Sequence, residues 1–136
     1  AKMHHVLARA SELIEANPGV PVACLGLAFK ANIDDFRESP AVEVAAGLAR
    51  IFGRRISIVE PHSSGLPMEF AGTGAEMIDL DSAIETCDIF IVLVDHDIFK
   101  AVPLSERGDK MVYDTRGIWP DQPAPADPRE KLRAAG

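Results

Sequence analysis

Apolar positions alternate between two rhythms along this chain. Met3, Val6, Leu7, Ala10, Leu13 and Ile14 fall at i, i+3 and i+4 spacing, which predicts an amphipathic helix ended by Asn17-Pro18-Gly19. Val20 to Leu27 follows as an apolar run of strand length. The helical rhythm returns from about Pro40 to Phe52. There Val42, Ala45, Leu48, Ala49 and Phe52 share one face, Ser39-Pro40 marks the start and Gly53 the stop. Arg55 to Val59 reads as a second strand, a weaker one lies near Ala75 to Ile78, and a short helix runs from about Leu80 to Thr86. Ile89 to Val94 contains no polar residue, so the strand it predicts is covered on both faces. Residues 96–107 predict one or two short helices broken at Pro103, and Lys110 to Asp114 a last strand. A Gly/Pro/Ser-rich connection spans residues 61–74, and a Pro/Ala-rich tail, 120–136, carries a short helical pattern from Pro128.

Strands that alternate with helices and lack polar alternation define an α/β fold. We expect a doubly wound, Rossmann-like parallel sheet of about five strands with flanking helices. The 136 residues suffice for one domain, 1–136, with a real core. A formal net charge of −7 argues against a general nucleic-acid or anionic-membrane surface, so any anion site must be local. No apolar run approaches the roughly 20 residues of a membrane span. Cys24 and Cys87 sit in or beside apolar strands without metal-ligand spacing, which points to core thiols and a reducing cytosol. The chain opens at Ala1 directly into a helix and reads as a piece of a longer protein.

The candidate chemistry lies in residues 25–40, where the first strand runs into a charged loop and then a helix start. Open α/β sheets bind ligands at such strand ends, and Lys30 and Arg37 suit a phosphorylated one. A dinucleotide fingerprint is absent, because Ala28 and Ala31 stand where G-x-G-x-x-G needs glycine, although Glu60 ends the second strand where a ribose-binding acid would sit. The same edge should gather Phe29, Glu60, His62, Asp95, His96, Asp114 and Arg116. Three cations converging there suit a diphosphate or a sugar nucleotide. The plainer alternative is surface ion pairing, Arg37 with Asp34 or Asp35 and Arg116 with Asp114. Neither His4-His5 nor His62 and His96 has metal-ligand spacing, so no metal site is expected. Trp119 should pack at the end of the last strand.

Three segments resemble one family. Gly-Leu-Ala-Phe-Lys (26–30) with Asp34-Asp35-x-Arg37-Glu38-Ser39-Pro40, Leu-Val-Asp-His-x-x-Phe-Lys (93–100) and Tyr-Asp-Thr-Arg-Gly-Ile-Trp (113–119) are similar to the nucleotide-sugar 6-dehydrogenases, the UDP-glucose/GDP-mannose dehydrogenase family. The likeness covers roughly residues 3–120 and is to the C-terminal domain that closes over the UDP-sugar. Within the family the motifs look most like the branch that oxidises UDP-N-acetyl-D-mannosamine to the mannosaminuronate, which feeds bacterial surface-polysaccharide assembly. The same domain from a UDP-GlcNAc or UDP-glucose dehydrogenase is the near alternative, and a stand-alone nucleotide-binding regulatory module the distant one.

The resemblance implies an NAD-dependent oxidation of the sugar C6 alcohol to a carboxylate through a thiohemiacetal and a thioester. It places the nucleophilic cysteine in a central helical domain and NAD mainly on an N-terminal one, so these 136 residues alone should not turn over substrate. By the same resemblance Phe29, Lys30 and Arg116 contact the UDP-sugar and Arg37 reaches NAD across the domain cleft. The expected partners are the UDP-sugar and the other domains of a homo-oligomeric parent, with no nucleic acid or membrane. Ala31 departs from the proline of many relatives without removing a functional group.

Overall fold

The computed structural model describes residues 2–33 and 35–124; Asp34 and the helical pattern from Pro128 lie outside them. The helices are α1 (Lys2–Glu15), α2 (Pro40–Phe52), α3 (Leu80–Thr86), α4 (Asp97–Lys100) and α5 (Leu104–Arg107). The strands are β1 (Val22–Leu25), β2 (Ile56–Val59), β3 (Glu76–Met77), β4 (Ile89–Val92) and β5 (Met111–Asp114). They form one all-parallel sheet in the order β3-β2-β1-β4-β5, the doubly wound arrangement the sequence predicts. The chain leaves β1 toward β2 on one side and reaches β4 on the other. The crevice at the C-terminal ends of β1 and β4 is therefore the switch point of the sheet.

Both faces of the sheet are covered, which explains the unbroken apolar strands. Val22 and Cys24 of β1, with Ile56, Ile58, Ile89 and Ile91, face α1 and α2. Ala23 and Leu25, with Phe90 and Val92, face the other side, where Ala83, Phe99 and Trp119 close the layer. Trp119 is buried as expected, its Nε1 donating to the Phe99 carbonyl at 3.0 Å.

The strands are shorter than their apolar runs. Gly26, at φ +99°, turns the chain out of β1, and a Cβ there would stand 2.5 Å from the Val94 Cβ. Leu27, Leu93 and Val94 stay buried beyond the ladder, so burial outlasts pairing. Arg55 is not in β2 but in a 3₁₀ turn (Gly53–Arg55). Its guanidinium donates to the carbonyls of Ile14, Asn17 and Val20, where a cation complements the C-terminus of α1. Residues 61–74, read as plain connection, include a second 3₁₀ turn at Met68–Phe70 that buries Phe70.

Candidate functional site

The β1–α2 loop is built by a few defined bonds. The Phe29 amide donates to the Asp35 carbonyl at 2.8 Å, closing the loop across its neck. Ser39 sits at the N-cap of α2, but its hydroxyl donates to the Leu27 carbonyl at 2.6 Å and leaves the helix start without a side-chain cap. Asn32 and Glu38 have positive φ, 61° and 54°, in the left-handed region that asparagine tolerates and glutamate seldom adopts. For Asn32 a constraint is visible: its amide donates to His96 Nδ1 at 2.7 Å and its Oδ1 accepts the Asp97 amide at 2.9 Å.

Four sequence-expected binding residues stand on this surface. Phe29 is 52% exposed, a costly position for a phenyl ring unless something covers it. Lys30 beside it is exposed, and no ion pair among the described residues engages it. Arg37 is almost fully exposed and forks onto Asp35 through Nε and Nη2 at 3.1 and 3.0 Å. Those bonds and the Arg37 amide hold the Asp35 carboxyl below its ordinary value. Such an exposed pair is weak and readily exchanged for another anion. Arg116 is half-exposed and pairs with Asp95 at 3.4 Å, not with Asp114 as its position suggested. Asp114 instead accepts the amides of Arg116, Gly117 and Trp119, shaping the turn that presents the guanidinium.

Three adjoining cavities connect Phe29, Arg37 and Arg116 near the start of α2. One of about 320 Å³ is lined by Pro40, Ala41, Leu93, Thr115 and Arg116. A small one of about 80 Å³ shares Pro40 and Arg116 and adds Ala28, Phe29, Val94 and Asp95. A third, about 380 Å³, lies on the other side of Phe29 and is lined by Asp35, Arg37 and Glu38. Phe29 thus separates Arg116 from Arg37. A cavity of about 540 Å³ lies elsewhere, at the ends of β2 and β3 against Pro61, Ser63, Asp79 and Ile98. Among the described residues its lining holds no cation and three acidic residues, Glu60, Asp79 and Asp81, which disfavours a diphosphate there.

Glu60 and His96 lie at the strand ends but turn inward onto each other and do not stand free for a ligand, contrary to the sequence expectation. Both are buried, 2% and 0% exposed, and bonded to each other at 2.9 Å. Glu60 Oε1 also accepts the Leu27 and Ala28 amides and Oε2 the His62 amide. Burial alone would push the Glu60 carboxyl up; the bonds from His96 and from the Leu27 and His62 amides outweigh it and hold it below its ordinary value. With its oxygens so occupied, Glu60 cannot take a ribose, so the β1–β2 edge lacks both parts of a dinucleotide site. The His62 ring packs tilted against the His96 ring, 4.6 Å between centroids and 57° between planes.

The two cysteines are buried thiols. Burial, with Cys87 adding to it, pushes Cys24 up to about 12, and burial raises Cys87 as well, so neither offers a thiolate. Among the described residues no cluster of His, Cys, Asp or Glu is placed to hold a metal ion, and no helix is long and apolar enough to cross a membrane. Sequence reasoning missed Asn32 and the Asp95 partner of Arg116. The second was within reach, because Val92 pairs with Asp114, which brings Asp95 and Arg116 nearly level beyond the strand ends.

A parallel sheet whose switch-point crevice gathers a bare phenyl ring, an uncapped helix start and nearby cations is a nucleotide-binding Rossmann-like domain. Residues 23–121 match the UDP binding domain of the UDP-glucose/GDP-mannose dehydrogenase family, and the chain belongs to that family. It is 44% identical over 100 residues to the UDP-N-acetyl-D-mannosamine dehydrogenase of Salmonella typhi, which covers 74% of this chain and 24% of the relative. It is 39% identical over 119 residues to the NDP-N-acetyl-D-galactosaminuronic acid dehydrogenase of Ralstonia nicotianae, covering 88% of this chain and 28% of that one. The fold is that of the GDP-mannose dehydrogenase of Pseudomonas aeruginosa, with a TM-score of 0.66 at 24% identity over 90% of this chain and 30% of that one. The chain spans about a quarter of the length of the curated relatives it matches.

Proposed function

We propose that this chain is the UDP-sugar-binding domain of an NAD-dependent nucleotide-sugar 6-dehydrogenase, and that it binds the nucleotide between Phe29, Lys30 and Arg116. One observation carries this reading: Phe29 and Arg116 share the wall of a cavity that opens onto the uncapped start of α2. The chemistry fits part by part. The exposed phenyl ring offers a face for an aromatic base or the apolar side of a sugar. The Arg116 fork matches phosphate oxygens, Lys30 supplies a mobile point charge, and the helix dipole adds positive potential beside them. Asp95 holds Arg116 in place until a phosphate takes over its guanidinium.

Arg37 stands on the far side of Phe29, and we assign it to the NAD bound by another part of the parent protein. The chain's own residues do not form a dinucleotide site, since Ala28 and Ala31 replace the fingerprint glycines and Glu60 is spent internally. Neither buried thiol suits the covalent step, which therefore belongs to the parent's other domains. The favoured substrate is UDP-N-acetyl-D-mannosamine, supported by the 44% identity to a dehydrogenase of that name. A second N-acetylated sugar is kept open by the longer match to a relative named for N-acetyl-D-galactosaminuronic acid.

Calorimetric titration with UDP tests the site. Wild-type chain should bind, and Arg116→Ala should weaken binding roughly tenfold to a hundredfold, the usual loss for a charge-assisted hydrogen bond. An unchanged dissociation constant in Arg116→Ala would remove Arg116 from the site.

A further inference from the structure

Phe29 and Lys30 are bracketed by three residues whose amides end on one buried pair. On the near side Leu27 and Ala28 donate to Glu60 Oε1 at 2.9 and 3.1 Å. On the far side, two residues beyond Lys30, the Asn32 amide donates to His96 Nδ1 at 2.7 Å. His96 Nε2 closes the circuit on the same Glu60 oxygen at 2.9 Å. A backbone N–H only donates, so Nδ1 is the bare nitrogen, Nε2 carries the proton and the imidazole is neutral. The ring is fully buried, flanked by His62 and Phe99, and can satisfy Asn32 only in this tautomer. The contact also helps to hold Asn32 at φ 61°.

We infer that His96 and Glu60 are positioning residues that set the Phe29-Lys30 segment in its ligand-binding conformation. Glu60 fixes the His96 tautomer and His96 fixes the loop. This rests on the nucleotide reading above, and it adds that affinity depends on two side chains that never touch the ligand. Their pairing spans β2 and β4 and brings the strand ends on both sides of β1 to bear on one loop.

Two isosteres separate the two bonds of the ring. His96→Asn places an acceptor oxygen near Nδ1 and drops the bond to Glu60; His96→Gln keeps a donor near Nε2 and leaves the Asn32 amide bare. Amide hydrogen exchange and UDP titration are read by NMR on the 136-residue chain, with melting temperature followed for each variant. In wild type a through-hydrogen-bond nitrogen–nitrogen coupling should join the Asn32 amide to His96 Nδ1. Asn32 should exchange about tenfold faster in His96→Gln, with the UDP dissociation constant raised about tenfold, while His96→Asn stays within about threefold of wild type in both. Equal losses in the two variants, or none in either, would overturn the inference. Absence of UDP binding by wild-type chain would overturn the nucleotide reading instead, and the exchange rates would still judge the hold of the pair on the loop.

Discussion

Replacing Glu60 by alanine removes the acceptor of four hydrogen bonds at once, from the amides of Leu27, Ala28 and His62 and from His96 Nε2, at 2.9, 3.1, 3.0 and 2.9 Å. A buried donor left without a partner costs about 1–3 kcal/mol, so four give a nominal loss of about 4 kcal/mol even at the low end. Water entering the vacated space recovers part of this, and we expect about 3–5 kcal/mol. That is a large share of the roughly 5–15 kcal/mol that stabilises a domain of this size. Glu60→Gln should cost less, about 1–3 kcal/mol, because its carbonyl oxygen can serve Leu27, Ala28 and His96 while its amide opposes the His62 N–H. Urea unfolding followed by circular dichroism measures both. The order Ala, then Gln, then wild type in rising midpoint is required, and a Glu60→Ala chain within 1 kcal/mol of wild type would refute the reasoning.

The same carboxylate carries a pH dependence. Its folded-state value lies below the ordinary 4.5, so its contribution is fully present above that value and lost as pH falls through the lower folded value. The loss of stability between about pH 5 and pH 3 should therefore be shallower in Glu60→Gln than in wild type. Gly26→Ala combines a strained positive φ with a Cβ driven into Val94, and should lower stability by about 3 kcal/mol or more by the same urea assay. Cys24, with its thiol near 12 and no exposure, should resist a thiol reagent at pH 8 until urea unfolds the chain. If the proposed function holds, Arg37→Ala in a dehydrogenase that carries this chain as its UDP-sugar-binding domain should raise the KM for NAD more than that for the sugar nucleotide, and the reverse pattern would remove Arg37 from the cofactor.

The fold was readable because its strands are covered on both faces and its two long helices on one, so composition and period carry the signal. What the apolar runs could not show was where pairing stops. Leu27 and Val94 are buried like the ladder residues, yet the turn at Gly26 takes the chain out of β1 before Leu27 and β4 ends at Val92, two residues before Val94. The binding loop was legible from its charges and its place between a strand and a helix start. Glu60 and His96 were misplaced for a definite reason. Strand-end polar residues face the crevice as a rule, and nothing local in the sequence says that two of them, 36 residues apart, will turn inward and satisfy each other. Asn32 was silent because its two bonds, one from its backbone amide to His96 and one accepted by its Oδ1 from the Asp97 amide, join positions more than 60 residues apart.

The central claim, that the nucleotide binds at the switch-point crevice, is tested most directly by an NMR titration of this chain with UDP. Shifts concentrated at Phe29, Lys30, Ala41 and Arg116 are the predicted result. Saturable shifts confined to Ser63, Asp79 and Ile98, around the larger cavity at the ends of β2 and β3, would contradict it.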